Sequence, residues 1–175
     1  YRTFFTGKRI TLMGLGLLGR GVGDAEFLAQ CGAHVLATDL KTEEQLKSSV
    51  DYLKKYPNIT FRLGEHKLED FTDCDMVIKA AGVPLNSPFE RAAREKNIPG
   101  YMSGALFAKF AIENGVCIIG VTGTRGKSTI THMIYHALEH AGKRTILGGN
   151  VRGRSTLAKI ADVKAGDIAV LELDS

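Results

Sequence analysis

Apolar runs of strand length alternate along this 175-residue chain with stretches of helical spacing, and that alternation restricts the fold more than any other feature. The runs are "RITLMG" (9–14), "HVLATD" (34–39), "DMVIKAAG" (75–82), "CIIGVTG" (117–123), "RTILGG" (144–149) and "DIAVLELD" (167–174). Shorter ones lie at Ile59–Leu63 and Ile98–Met102. Helical spacing marks Val22–Gln30, Glu43–Tyr56, Pro88–Lys96 and Ser128–His140. Strand followed by helix, repeatedly, predicts an α/β fold with parallel sheets covered on both faces.

Two of the strand-to-helix turns are rich in glycine, where a single doubly wound sheet needs only one nucleotide-binding turn. Two units in series are therefore expected: residues 1–110, and the opening part of a second domain at 111–175. The helix-like "ALFAKFAIEN" lies near the join. In the first unit "MGLGLLGRG" fits G-x-G-x-x-G through Gly14, Gly16 and Gly19, directly after a strand. The first glycine permits a tight turn, the second lets a phosphate approach backbone N–H groups, and the third lets helix pack closely on strand. Asp39 closes the next strand about 20 residues on, placed to accept hydrogen bonds from a sugar hydroxyl or a base. Gly82, at the end of a further strand, belongs to the same crevice. The pattern predicts a Rossmann-like nucleotide site without naming the nucleotide.

The second turn, "GVTGTRGKST" at 120–129, departs from the general phosphate-loop spacing G-x-x-x-x-G-K-[ST], because Val121 stands where that template has glycine. Its parts still suit a nucleoside triphosphate. Successive N–H groups can curl around a phosphate, Lys127 can neutralise its β/γ oxygens, and the Ser128 hydroxyl can ligate Mg²⁺ at a helix N-terminus. "DIAVLELD" is then the neighbouring strand, and Glu172 at its end is the second magnesium candidate.

Composition excludes several classes. Three scattered cysteines, Cys31, Cys74 and Cys117, make neither a disulfide framework nor a thiolate zinc site, and suit a reducing cytoplasm. No apolar run is long enough to span a bilayer, and no secretory signal is visible. The net charge of +4 is spread among acids with few aromatics nearby, so small anionic ligands are expected rather than nucleic acid. His132, His136 and His140 share a helix face. With no cysteine or carboxylate at that spacing, they read as a partly exposed surface, as do Lys41, Lys47, Lys54 and Lys55.

"GVTGTRGKST" resembles the variant ATP loop of the Mur ligases, G-T-x-G-K-[ST]. "GLGLLGRGVGDAEFLAQCGAHVLATDLK", "DMVIKAAGVPLNSPFERAAREKNIP", "GGNVRG" and "VLELDS" extend the likeness over nearly the whole chain, in the family's order. It is greatest to members that join D-glutamate to UDP-N-acetylmuramoyl-L-alanine in peptidoglycan synthesis. The resemblance implies a monomeric three-domain enzyme. Gly16, Leu17, Leu18, Asp39 and Gly82 would contact uridine and pyrophosphate. Gly123, Thr124, Arg125, Gly126, Lys127, Ser128 and Thr129 would hold ATP, with Asn150 after the next strand and Ser128 and Glu172 on Mg²⁺. Leu18 departs from the threonine common there, and Asp174-Ser175 from the usual "ELSS". The family's second-magnesium residues and third domain would lie beyond Ser175.

By the same likeness the γ-phosphoryl group of ATP passes to a substrate carboxylate, and an amine displaces phosphate from the acyl phosphate. Lys127 is the expected catalytic residue. Three rivals stand beside this: a Mur or folylpolyglutamate-type ligase for another amino acid, a non-catalytic nucleotide-binding fragment, and an NAD-dependent oxidoreductase. The last leaves residues 117–175 unexplained.

Overall fold

The computed structural model describes residues 1–17, 19–80, 87–150 and 155–173, and the chain divides into two compact units, Tyr1–Ser103 and Gly104–Ser175. Each of the eight apolar runs contains a strand.

The first unit holds β1 (Arg9–Met13), β2 (His34–Asp39), β3 (Ile59–Leu63), β4 (Met76–Lys79) and β5 (Gly100–Met102) in one parallel sheet ordered β3-β2-β1-β4-β5. The chain winds outward from β1 to β3, then returns to pair β4 on the other side of β1. That reversal opens a crevice beyond the carboxyl ends of β1 and β4, where ligands of such sheets bind. Among the described residues five helices accompany the strands: α1 (Arg2–Phe5), α2 (Arg20–Gln30), α3 (Lys47–Leu53), α4 (Glu69–Thr72) and α5 (Pro88–Glu95). Of these, α1 and α4 span barely one turn each, too short to register as periodicity. α3 starts at Lys47, later than the spacing predicts. The residues before it form a turn in which Thr42 and Gln45 exchange hydrogen bonds between side chain and backbone N–H.

Side chains on the two faces of a strand alternate, so Ile10 and Leu12 of β1 face opposite to Thr11 and Met13. Ile10, Leu12, Leu28, Val35 and Ala37 are at most 1% exposed, and each Leu- or Ile-sized side chain so buried contributes about 1.5–3 kcal/mol. On the other side Met13, Phe71, Cys74, Val77 and Ala93 form a second cluster, with Phe89 and Ile98 packed against it. β4 lies among these layers and buries all four of its residues, as a parallel strand covered on both faces should. α5 begins with an N-cap: Ser87 Oγ accepts the Glu90 N–H (3.1 Å) and Pro88 takes the first helical position.

The second unit holds α6 (Ser103–Glu113), β6 (Cys117–Val121), α7 (Lys127–His140), β7 (Thr145–Gly149), a 3-10 turn Leu157–Ala161, and β8 (Ile168–Glu172). Its sheet is parallel and ordered β6-β8-β7. The middle strand carries the core, with Ala169, Val170 and Leu171 at most 2% exposed. Register places Glu172 of β8 opposite both Val121 of β6 and Gly149 of β7, so the segments leaving all three strands emerge at one edge. Only Thr131 of α7 is fully buried, while Ile130 and Met133 are exposed. Among the described residues no helix is long and apolar enough to cross a membrane.

Candidate functional site

In the first unit the glycine turn leaves β1 with Gly14, Gly16 and Gly19 all at positive φ (+97°, +64° and +81°), conformations that glycine adopts without the Cβ penalty. Asp39, only 6% exposed, clasps this turn. Its Oδ2 accepts the Gly16 N–H (2.8 Å) and its Oδ1 accepts the Lys41 N–H (2.9 Å). The acid expected to meet a sugar or base thus also sets the shape of the turn, and the Gly16 N–H that was expected to face phosphate points at Asp39. Leu17 projects from the turn, 58% exposed. Leu18 and Gly82 lie outside the described residues.

Close packing of the helix on the turn that leaves β1 is seen at Gly21. A Cβ at Gly21 would lie 2.3 Å from Leu15 O and 2.6 Å from Gly14 O, whereas Gly19 caps the helix in the left-handed region. The signal was the fourth glycine of "GLGLLGRG", which the three-glycine template passes over. Gly21→Ala is expected to destabilise the protein by about 3 kcal/mol, because backbone rather than a flexible side chain would have to move. Chemical denaturation measures it, and a loss below about 1 kcal/mol would contradict that geometry.

His66 also reaches this crevice, and the sequence carried no signal for it. Its Nδ1 lies 2.6 Å from Thr38 Oγ1 at the end of β2, and its ring meets Phe71 and Phe89 edge to face, with centroids 5.8 and 5.2 Å away. Burial pushes its pKa down against the opposing pull of Asp39 and Asp70, favouring the neutral ring.

In the second unit the phosphate loop joins β6 to α7. Gly123 (φ +146°) and Gly126 (φ +76°) make its two sharp turns, and Gly126 is the N-cap of α7. Lys127, the first residue of the helix, folds back so that its ammonium donates to Gly123 O (2.8 Å). Thr124, Arg125, Ser128 and Thr129 are exposed around it. The sequence thus builds a ring of backbone with a cation inside and a helix N-terminus behind, an arrangement that suits an anion. Asn150 leaves β7 next to β8, its N–H donating to Glu172 O (2.8 Å).

The Glu172 side chain completes the edge. The residue is 7% exposed, and among the described residues no hydrogen bond or ion pair holds its carboxylate. A carboxylate on so largely buried a residue favours a neighbouring cation. Together with the Ser128 hydroxyl it would offer hard oxygen donors of the kind Mg²⁺ takes. His132 and His140 turn their Nδ1 atoms onto Ser128 O and His136 O of their own helix (2.7 and 3.2 Å).

Comparison with known proteins decides the family. Residues 121–175 match the Mur ligase middle domain. A UDP-N-acetylmuramoylalanine–D-glutamate ligase of Roseiflexus sp. (strain RS-1) is 40% identical over 169 residues, which is 97% of this chain and 35% of that protein. The chain belongs to the Mur ligase family. A ligase of the same name from Borreliella burgdorferi (strain ZS7) is 39% identical over 165 residues, covering 94% of this chain and again 35% of the relative. Thus the chain spans about a third of the length of the curated Mur ligases it matches. The crystal structure of the UDP-N-acetylmuramate–alanine ligase MurC from Thermotoga maritima shares the fold, with a TM-score of 0.53 and 24% identity over 95% of this chain and 37% of that one.

Proposed function

We propose that this chain carries the sugar-nucleotide unit and the opening of the ATP unit, residues 1–110 and 111–175, of a monomeric cytoplasmic ligase of peptidoglycan synthesis. That ligase joins D-glutamate to UDP-N-acetylmuramoyl-L-alanine. The single observation that carries the ligase chemistry is the register that brings Glu172, 7% exposed, to the same sheet edge as the glycine- and lysine-bearing loop. The names of the relatives supply the substrate pair.

In this reading the crevice of the first unit, with Gly16, Leu17, Leu18, Asp39 and Gly82, holds uridine and pyrophosphate. Gly123 to Thr129 wrap the triphosphate, and Asn150 borders it. Ser128 and Glu172 would hold Mg²⁺, which would supply positive charge for the phosphate oxygens. Lys127 lays its ammonium against the γ-phosphoryl group, offsetting the repulsion between two anions as a carboxylate oxygen attacks phosphorus and ADP departs. The amine of D-glutamate then attacks the acyl carbon, gives up a proton, and inorganic phosphate leaves.

Calorimetric titration of the full-length protein with UDP-N-acetylmuramoyl-L-alanine, ATP and NAD tests the reading. The first two are expected to bind and NAD is not. Asp39→Ala, which frees the Gly16 turn, is expected to weaken the sugar nucleotide about 10- to 100-fold, the equivalent of one or two hydrogen bonds to a charged group. Binding of NAD without the sugar nucleotide would overturn the assignment.

A further inference from the structure

Thr156 follows the phosphate-loop elements in sequence and belongs to none of their motifs, yet its side chain is spent on them. It is 4% exposed. Its Oγ1 accepts the Gly149 N–H (2.9 Å) and donates to Gly149 O (3.2 Å), so one hydroxyl holds both polar groups of the last residue of β7. The fit is tight: a Cβ at Gly148 would lie 2.8 Å from the Thr156 methyl. Anchoring of the segment does not need that hydroxyl. Ser155 Oγ caps the 3-10 turn by accepting the Ala158 N–H (2.9 Å), and the Lys159 ammonium bonds Leu147 O.

What Gly149 controls is the sheet edge. It is in register with Glu172, and the next N–H, of Asn150, donates to Glu172 O. A hydroxyl that fixes both faces of the Gly149 residue therefore fixes where Asn150 and the Glu172 backbone stand relative to each other. We infer that Thr156 is a positioning residue that sets Asn150 and Glu172 for a nucleotide carrying a divalent cation. This rests on the nucleotide reading of the loop. Partners that orient a ligating carboxylate without touching the ion typically account for a 10- to 100-fold share of metal affinity.

The test is ATP binding to the full-length protein by calorimetry, with and without Mg²⁺. In the parent protein Mg²⁺ is expected to tighten ATP. Thr156→Val keeps the shape and removes the hydroxyl. It is expected to lose that tightening by about 10-fold or more, a larger loss than any in Mg²⁺-free ATP affinity, and to speed amide exchange at Gly149. Thr156→Ser, which restores the hydroxyl without the methyl, is expected to recover it. Should the valine variant fail to fold, Thr156→Ala removes the same hydroxyl, and the same loss is expected. Full Mg²⁺ tightening in either folded variant overturns the role of Thr156. Absence of tightening in the parent protein overturns the nucleotide reading itself, and this role with it.

Discussion

Lys127→Ala in the full-length ligase is expected to reduce ATP-dependent phosphate release by about three orders of magnitude, the upper range for loss of one electrostatic donor at a developing charge. The ammonium already lies inside the loop, 2.8 Å from Gly123 O, so reaching a phosphate requires a change of partner rather than a change of backbone. Losing that hydrogen bond to a carbonyl costs stability only about 1 kcal/mol, and thermal unfolding of the variant should remain close to that of the parent. Lys127→Arg separates charge from fit. If bulk positive charge were sufficient, arginine would restore turnover. Its wider, planar fork cannot occupy a loop closed around a compact ammonium, so little recovery is expected. Undiminished phosphate release by the alanine variant would remove Lys127, and with it the loop, from the chemistry.

How far the sequence disclosed this site depended on whether a function lay in a spacing or in a contact. The eight strands were legible because buried parallel strands leave uninterrupted apolar runs, and the loop was legible because glycine, lysine and serine must follow one another to form an anion site. Glu172 could be picked out because the last position of an adjacent strand reaches the same edge. The clasp of Asp39 on Gly16 was not legible, since nothing in a sequence distinguishes a carboxylate that meets a ligand from one that also holds its own turn. The same limit applied to Gly21: the motif assigns helix packing to the third glycine and is silent on the fourth, whose close approach to Leu15 O and Gly14 O appears only in the fold. His66 acts through Thr38, 28 residues earlier, and Thr156 through Gly149, which is 7 residues earlier but bound to it by no motif. Such pairings appear only once the chain has folded.

Gly149 is the position where that distinction has the largest consequence for folding. Gly149→Ala is expected to cost about 4 kcal/mol or more, a large part of the total stability of an ordinary domain. Two penalties coincide there. The backbone is at φ +84°, and an added Cβ would lie 2.0 Å from Glu172 O and 2.6 Å from Glu172 N, so the middle strand of the sheet would have to shift. Gly166 separates the two penalties, because it has nearly the same φ (+87°) with no atom within 4 Å of an added Cβ. Gly166→Ala should therefore cost only the conformational part, about 1–2 kcal/mol. Denaturant unfolding of both variants gives the difference directly. Beyond stability, any Gly149 variant that still folds must push β7 from β8 at the residue that carries Asn150 and faces Glu172. Its Mg²⁺-dependent ATP binding should fall with the displacement, while binding of the sugar nucleotide by the first unit stays unchanged. Equal costs at Gly149 and Gly166 would mean that β7 can retreat freely from β8, and that the close approach at Glu172 is not what positions this edge.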